Sequence, residues 1–449
     1  MLITVMALVA LWHLRALSPN LVLILVLLFL TGNTELLLTL FDGELPESLA
    51  FIEVSDLEYA TLLFDMGLLA VAGGMWLCHR YSKEAPRRIT SGASIFPLSS
   101  VCVGLGAVRI YALLFVFTAV LKLLMWGPLS PLAQLLLPLL MLRFFPIYVL
   151  AYRYFTEGRD GAILLGVVVF EIVANLSFFA SFSQLFIVVA AALLLAGRDG
   201  ARFRWFPTVA AAFSMVLVVS VWSYVKSDFR DYISDGTRTQ IDTRSLPDKL
   251  DFLQGQLAGI GFRELREGLY ASVLRLAYNG FFAATTNYVP RHLDHTGGDY
   301  LIASAMAVVV PRFLFPDKPI FDDSETVRTY TGLTVAGLDE GTQFNIGQFG
   351  ELYADLGIFG MLVALAVWGS GLAAFDRMIF RCLGPGLDAS GWSAVFVVVY
   401  GVTMFSLPKL LAALLYSSLC AYFLLRFVYP EILRHIPPYW VHMRRLRRT

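Results

Sequence analysis

The sequence predicts an all-α polytopic membrane protein of about eleven transmembrane helices, with a large external loop region that carries amphipathic or re-entrant helices. Three observations predict it. Of 449 residues, 58% are hydrophobic, and the mean hydropathy is +0.70. Only 15% are charged. The charges are also concentrated: residues 226–345 hold 12 Lys+Arg and 16 Asp+Glu, which is 28 of the chain's 68. Apolar runs divided by short charged loops suit a helical bundle, because lipid leaves no backbone polar group a partner outside its own segment.

A span of the hydrocarbon layer takes roughly 20 apolar residues. The candidates are 2–17, 20–41, 57–78, 105–126, 132–152, 161–179, 181–197, 207–225, 346–373, 391–407 and 409–428. Met1–Val9 has no basic residue, which predicts a first span rather than a cleaved signal peptide. Phe178-Phe179-Ala180-Ser181 makes a tight polar nick between the sixth and seventh spans.

Loop charges then predict the orientation. Arg80, Lys83, Arg87 and Arg88 follow the third span, and Arg153 and Arg159 the fifth. Arg198, Arg202 and Arg204 follow the seventh, Arg377 and Arg381 the ninth, and Arg434, Arg444, Arg445, Arg447 and Arg448 the eleventh. All fall on one side if eleven spans alternate, and the positive-inside rule makes that side the cytoplasm. The opposite loop 42–56 carries Asp42, Glu44, Glu47, Glu53 and Asp56 and no Lys or Arg. The chain thus divides into an N-terminal bundle of about eight spans (1–225), an external region (226–345), three C-terminal spans (346–428) and a basic cytoplasmic tail (429–449). Within the external region, 268–289 and 300–311 are apolar but short, and predict helices lying against the bundle.

Equal totals of 34 Lys+Arg and 34 Asp+Glu argue against nucleic acid as a partner. Cys78, Cys102, Cys382 and Cys420 have no metal-site spacing and imply no disulfide framework. The chain lacks Asp-x-Asp, His-Glu-x-x-His, Gly-x-Ser-x-Gly and P-loop motifs, which argues against nucleotide-sugar and ATP chemistry.

Several residues stand out for their chemistry. Pro311-Arg312-Phe313-Leu314-Phe315-Pro316-Asp317-Lys318-Pro319 is a stiff loop presenting two cations. Arg143, between Pro138 and Pro146, sits mid-span, where an Arg costs about 2.5–3.5 kcal/mol on the mildest scale. Its partner is Glu171 or a ligand anion. Lys122 and Lys409 lie near the outer ends of their spans, placed to snorkel. Glu351 and Asp355 are four apart, so they share a helix face, with Gln348 three residues earlier. Glu351, a turn or two inside the surface, is a candidate general base. Arg275 stands alone in an apolar stretch, and it, Arg291, Arg312 and Lys318 are candidates for phosphate oxygens. His292 and His295, with Asp294 and Asp299, make a weak metal pair; His292 fits an acid–base role better.

The loop 311–319 resembles that of bacterial oligosaccharide repeat-unit polymerases, the Wzy-type O-antigen and exopolysaccharide polymerases. In these a Pro-Arg-x-x-Trp-Pro-x-Lys-Pro-like loop precedes a Gly-Glu-Leu-Tyr-like helix start, and Gly350-Glu351-Leu352-Tyr353 resembles the second element. Arg275 and the Gly298-Asp299-Tyr300 turn also resemble family features. The likeness covers about 270–360. It departs at Phe315, where many members have Trp, and at Ser183-Gln184, where many have Gly-x-Arg.

The resemblance implies a metal-independent glycosyltransferase of the bacterial inner membrane with a GT-C-like fold and no cofactor. The implied donor is a growing glycan on undecaprenyl pyrophosphate, and the acceptor a single lipid-linked repeat unit. A chain-length regulator protein and a flippase are implied as partners in addition to the lipid bilayer. Glu351 would be the base, with His292 or Asp317 second. Arg275, Arg312 and Lys318 would hold the pyrophosphate, with Arg291, Arg143 and Tyr353 as further substrate contacts. An O-antigen ligase, using the same donor, is the nearest alternative. A lipid-linked oligosaccharide flippase would spread its charges along a central path, and a polysaccharide O-acyltransferase would need an acyl-donor site.

Overall fold

Helix boundaries follow the punctuation of the sequence. Pro19 opens one helix, and Gly158 closes another in the left-handed region (φ 68°). Pro408 stands in the first turn of a third, where a missing N–H breaks no helical bond. The computed structural model describes residues 1–42, 49–81, 98–177, 182–198, 204–236, 242–276, 278–310, 321–337, 343–402 and 406–434. Among these the structure is all-helical, with no strand.

Among the described residues seven helices are long and apolar enough to cross a membrane. They are α2 (Pro19–Asp42), α3 (Val54–Tyr81), α4 (Leu105–Trp126), α5 (Ala133–Glu157), α8 (Trp205–Ile233), α14 (Gly347–Leu383) and α16 (Leu407–Ile432). The other four expected spans hold shorter apolar helices: α1 (Leu2–His13), α6 (Gly161–Ala174), α7 (Ser183–Arg198) and α15 (Leu387–Val398). Between α8 and α14 lie α9 (Leu246–Ala258), α10 (Phe262–Leu276), α11 (Asn279–Tyr288), α12 (Asp299–Val309) and α13 (Asp323–Thr331).

The centre of the bundle is the α3–α14 pair. A Cβ on Gly74 would collide with the Ala366 carbonyl, and one on Gly369 with that of Val71, so the backbones meet where only glycine fits. Phe64 stacks on Phe349 at 4.0 Å beside this contact. α5 is not uniform. Leu137–Arg143 is a 3₁₀ stretch that contains Pro138 and ends before Pro146, and each proline removes a helical donor. Arg143 is buried there and pairs with Glu171 of α6 at 2.8 Å. Tyr111 of α4 donates to the same carboxylate.

Long-range contacts sort the connections to two ends. At one end Arg198 donates to the Leu17 carbonyl (2.6 Å), and Arg377 to those of Cys78 (2.7 Å) and His79 (2.9 Å). The Arg204 amide bonds the Phe155 carbonyl, and Asp388 accepts from the amides of Leu98 and Ser99 at the same end. These contacts tie the ends of α3, α5, α7 and α14 from which the basic stretches of the sequence lead off. The segment between α8 and α14 lies toward the other end.

Two expectations for that segment change. The eighth expected span, 207–225, runs on as helix to Ile233. The apolar stretch 268–289 is two helices, α10 and α11, not one. The Tyr278 amide turns to the Thr31 carbonyl (3.4 Å) and Asn279 Nδ2 to Thr61 Oγ1 (2.7 Å), so contacts with α2 and α3 outweigh helix continuation. Glu35 of α2 also accepts the amides of Asn279 and Gly280, a carboxylate at the start of α11. α10 lies along α8, where a Cβ on Gly268 would strike the Ser220 carbonyl. Phe282 and Val327 join the main core, so α11 and α13 are built into the bundle.

Candidate functional site

Asp355 organises the site. It lies one turn beyond Glu351 on α14, and Gly357 then breaks the helix with φ 66° and ψ −174°. Asp355 is fully buried. Its Oδ1 accepts the amides of Gly298 (2.9 Å) and Tyr300 (3.3 Å), and its Oδ2 accepts that of Leu301 (2.9 Å). The Thr296 hydroxyl adds a fourth bond, and the Gly297 amide reaches the Asp355 carbonyl at 2.8 Å. A carboxylate from one helix thus caps the N-terminus of another, satisfying donors that α12 cannot satisfy itself.

This cap brings Tyr300 over Glu351. The Tyr300 hydroxyl lies 3.2 Å from Glu351 Oε1, and the Leu407 amide donates to Oε2. Glu351 is 0% exposed. The sequence reading placed it a turn or two inside the outer surface; here its two oxygens face a phenol and an amide. Tyr300 also bonds the Thr326 hydroxyl, and Tyr330 bonds that of Thr296. Burial and the adjacent Glu351 charge raise the Tyr300 phenol well above its ordinary range, so it stays protonated. Burial likewise raises Tyr330, with the Asp355 and Glu351 charges adding to it.

A second layer holds this pair. Lys409, at the start of α16, pairs with buried Asp323 of α13 and lies 3.3 Å from Gln343 Oε1. The expected snorkelling Lys409 is therefore an ion-paired strut between two helices. Asp322 caps α13 through the Ser324 amide (3.0 Å), and Ser324 Oγ accepts the Phe344 amide (2.9 Å).

Two openings flank the Tyr300–Glu351 contact. One is an apolar groove of about 450 Å³ between α12, α14 and α16. Leu301, Leu352 and Leu407 line it, each either adjacent in sequence to a partner of the contact or itself one. The other is a hollow of about 400 Å³ lined by Tyr300, Phe321, Asp322, Glu325, Thr326, Thr329 and Tyr330. A phenol whose proton points at a carboxylate can exchange protons with a hydroxyl arriving from the hollow.

The other expected site residues are spread more widely. Tyr353 is buried and its hydroxyl donates to the Val289 carbonyl (3.3 Å), so it supports the site from behind. His292 stacks on Tyr288 (4.7 Å), and His295 meets Tyr353 edge-on (5.4 Å) with Nδ1 3.2 Å from the Ala354 carbonyl. Exposed Arg291 donates to Asn287 Oδ1. Arg143 has its partner in Glu171, not in the Glu351 cluster. Arg275 lies in the last turn of α10, and its side chain is outside the described residues. Arg312, Asp317 and Lys318 also fall outside them.

Sequence reasoning missed Asp323, Thr326 and Tyr330. The Asp322-Asp323-Ser324 start of α13 carried a readable N-cap signal, but nothing local linked Asp323 to Lys409. Comparison of the chain with family models, curated proteins and solved structures gave no match.

Proposed function

We propose that the protein is a membrane-embedded glycosyltransferase that polymerises oligosaccharide repeat units carried on undecaprenyl pyrophosphate. The observation that carries this reading is the pairing of an apolar groove and a polar, aromatic hollow on either side of the Tyr300–Glu351 contact. A lipid-linked saccharide has these two chemistries joined by an anion. The loop with Arg312 and Lys318 joins α12 to Phe321, a wall of the hollow, and supplies charge for that anion.

In this reading an acceptor hydroxyl attacks the anomeric carbon of the donor's reducing-end sugar. A new C–O bond forms, the bond to pyrophosphate breaks, and the leaving group keeps its electron pair. The hydroxyl proton passes to Tyr300 Oη as the phenol gives its own to Glu351. Arg275, Arg312 and Lys318 stabilise the departing pyrophosphate, the type of fixed charge that often contributes most to rate. The shorter apolar helices complete an eleven-span, GT-C-like bundle in the inner membrane. The basic residues that follow α3, α5, α7 and α14 in the sequence support a cytoplasmic C-terminus, a periplasmic N-terminus and a periplasmic site.

Purified protein given the lipid-linked repeat unit of its host should produce a ladder of longer lipid-linked glycans. A single transfer to an added acceptor that is not carried on undecaprenyl pyrophosphate would instead identify a ligase, and no transfer to either acceptor would sink the enzyme reading. In a chain with its native cysteines replaced, single cysteines at positions 200 and 380 should resist impermeant thiol reagents in intact cells, and one at 240 should react. Reaction at 200 would reverse the orientation.

A further inference from the structure

Inside the bundle two cations share one carboxylate, Glu171. Its Oε1 faces Arg143 Nε at 2.8 Å and accepts Asn175 Nδ2 at 3.0 Å, and its Oε2 accepts the Tyr111 hydroxyl. Lys122 of α4, half-buried, lies within the fields of both Arg143 and Glu171. Residues 105–181 hold only two further carboxylates, Glu157 and Asp160, and Arg153 pairs with both. α16, which packs on the 3₁₀ stretch of α5, has none before Glu431. The Arg143 side chain is only 9% exposed, yet no N–H of it has a hydrogen-bond acceptor among the described residues: the enclosed Nε meets Glu171 as an ion pair without an aimed N–H. Phe144 covers one face of the guanidinium at 5.1 Å. A guanidinium has five donors to satisfy, and burying them unsatisfied within a span is costly.

We infer that Arg143 and Lys122 form a binding site for a phosphate group, separate from the Tyr300–Glu351 contact. The inference does not depend on the glycosyltransferase reading. Arg143 offers the planar fork that meets two phosphate oxygens at once, and Lys122 adds a point charge beside it. Both oxygens of Glu171 already have donors, so the carboxylate orients Arg143 and leaves its remaining N–H groups to a second anion. The surroundings suit an anion carried by a lipid. α4 exposes Leu113, Val116, Val120 and Leu123, and α6 exposes Leu165, Val169 and Phe170, so the cluster lies one layer behind a lipid-facing surface. Tyr111, Phe115 and Phe170 close the seam between the two helices with ring contacts of 5.1 to 6.1 Å. Lys122 lies about three turns beyond Tyr111 on the same face, at the end of α4 toward Trp126. Of the anions that fit an arginine fork, phosphate is the one that membrane lipids carry, and basic pockets between transmembrane helices hold such headgroups.

The test titrates the full-length protein in dodecyl maltoside with phosphatidylglycerol, geranylgeranyl phosphate and inorganic phosphate. Native mass spectrometry reads the two lipids, and the shift in melting temperature reads all three. Saturable binding of at least one probe is expected. Lys122→Gln and Arg143→Lys should each weaken it about ten-fold or more, the worth of a hydrogen bond to a charged group. Arg263→Gln, at an exposed cation of α10, should leave it within about two-fold. Lys122→Gln removes a charge that pairs with no protein carboxylate, so it keeps the Arg143–Glu171 pair and decides the matter if Arg143→Lys fails to fold. Binding of a lipid without inorganic phosphate assigns the group to a headgroup, and binding of inorganic phosphate alone assigns it to a soluble ion; either supports the site. No saturable binding of any probe, binding that Lys122→Gln leaves unchanged, or an equal loss in Arg263→Gln would overturn the inference.

Discussion

Glu351→Gln is expected to lower the rate of glycosyl transfer by about 10²–10⁴-fold, the usual worth of a general base, while donor affinity is largely kept. The structure gives a reason why this substitution should fold. A Gln Oε1 can accept the Leu407 amide, and its NH₂ can donate to the Tyr300 oxygen, leaving the phenol to point its proton at Thr326. The shape survives, and the proton acceptor is gone. Glu351→Asp should be intermediate, because its carboxylate retreats by one methylene from both donors. Tyr300→Phe separates two routes. If the proton passes through the phenol, its loss should match that of Glu351→Gln; if Glu351 acts directly, the rate should stay within about ten-fold of wild type. The deciding measurements are transfer rate and donor affinity on the same purified variant. A near-normal rate for Glu351→Gln would remove Glu351 as the base and pass the role to His292 or Asp317.

Asp355→Ala should produce the largest loss of stability at the site. The substitution leaves the amides of Gly298, Tyr300 and Leu301 and the Thr296 hydroxyl without their acceptor. Leaving a buried donor unsatisfied costs about 1–3 kcal/mol, so the set should cost at least about 3 kcal/mol after relaxation. Asp355→Asn should cost less, because its amide oxygen can still serve Gly298 and Tyr300 while its NH₂ faces the Leu301 donor. Thermal melting in detergent gives the ranking, and amide exchange gives the location: protection should fall at 298–301 before it falls in α3. Wild-type melting and exchange for the Ala variant would show that α12 is held by something other than this cap. Activity should fall with the cap, since Tyr300 reaches Glu351 only when α12 starts where Asp355 fixes it.

The sequence by itself determined the helical membrane class, the charge of each stretch between the apolar runs, and the shared face of Gln348, Glu351 and Asp355. These are readable because hydropathy runs, loop charge and a 3.6-residue period are local properties. It also singled out Gly298-Asp299-Tyr300 as a turn. Tertiary structure alone decided what those residues touch. Tyr300 and Glu351 are 51 residues apart, and Asp323 and Lys409 are 86 apart. No spacing rule joins them; folding does, because a buried carboxylate or ammonium must find a partner once water is gone. The same need turned Lys409 from an interfacial cation into a strut and split 268–289 at Tyr278, where α2 and α3 offered the backbone and Asn279 better bonds. It also made Asp355 the cap that aims the site.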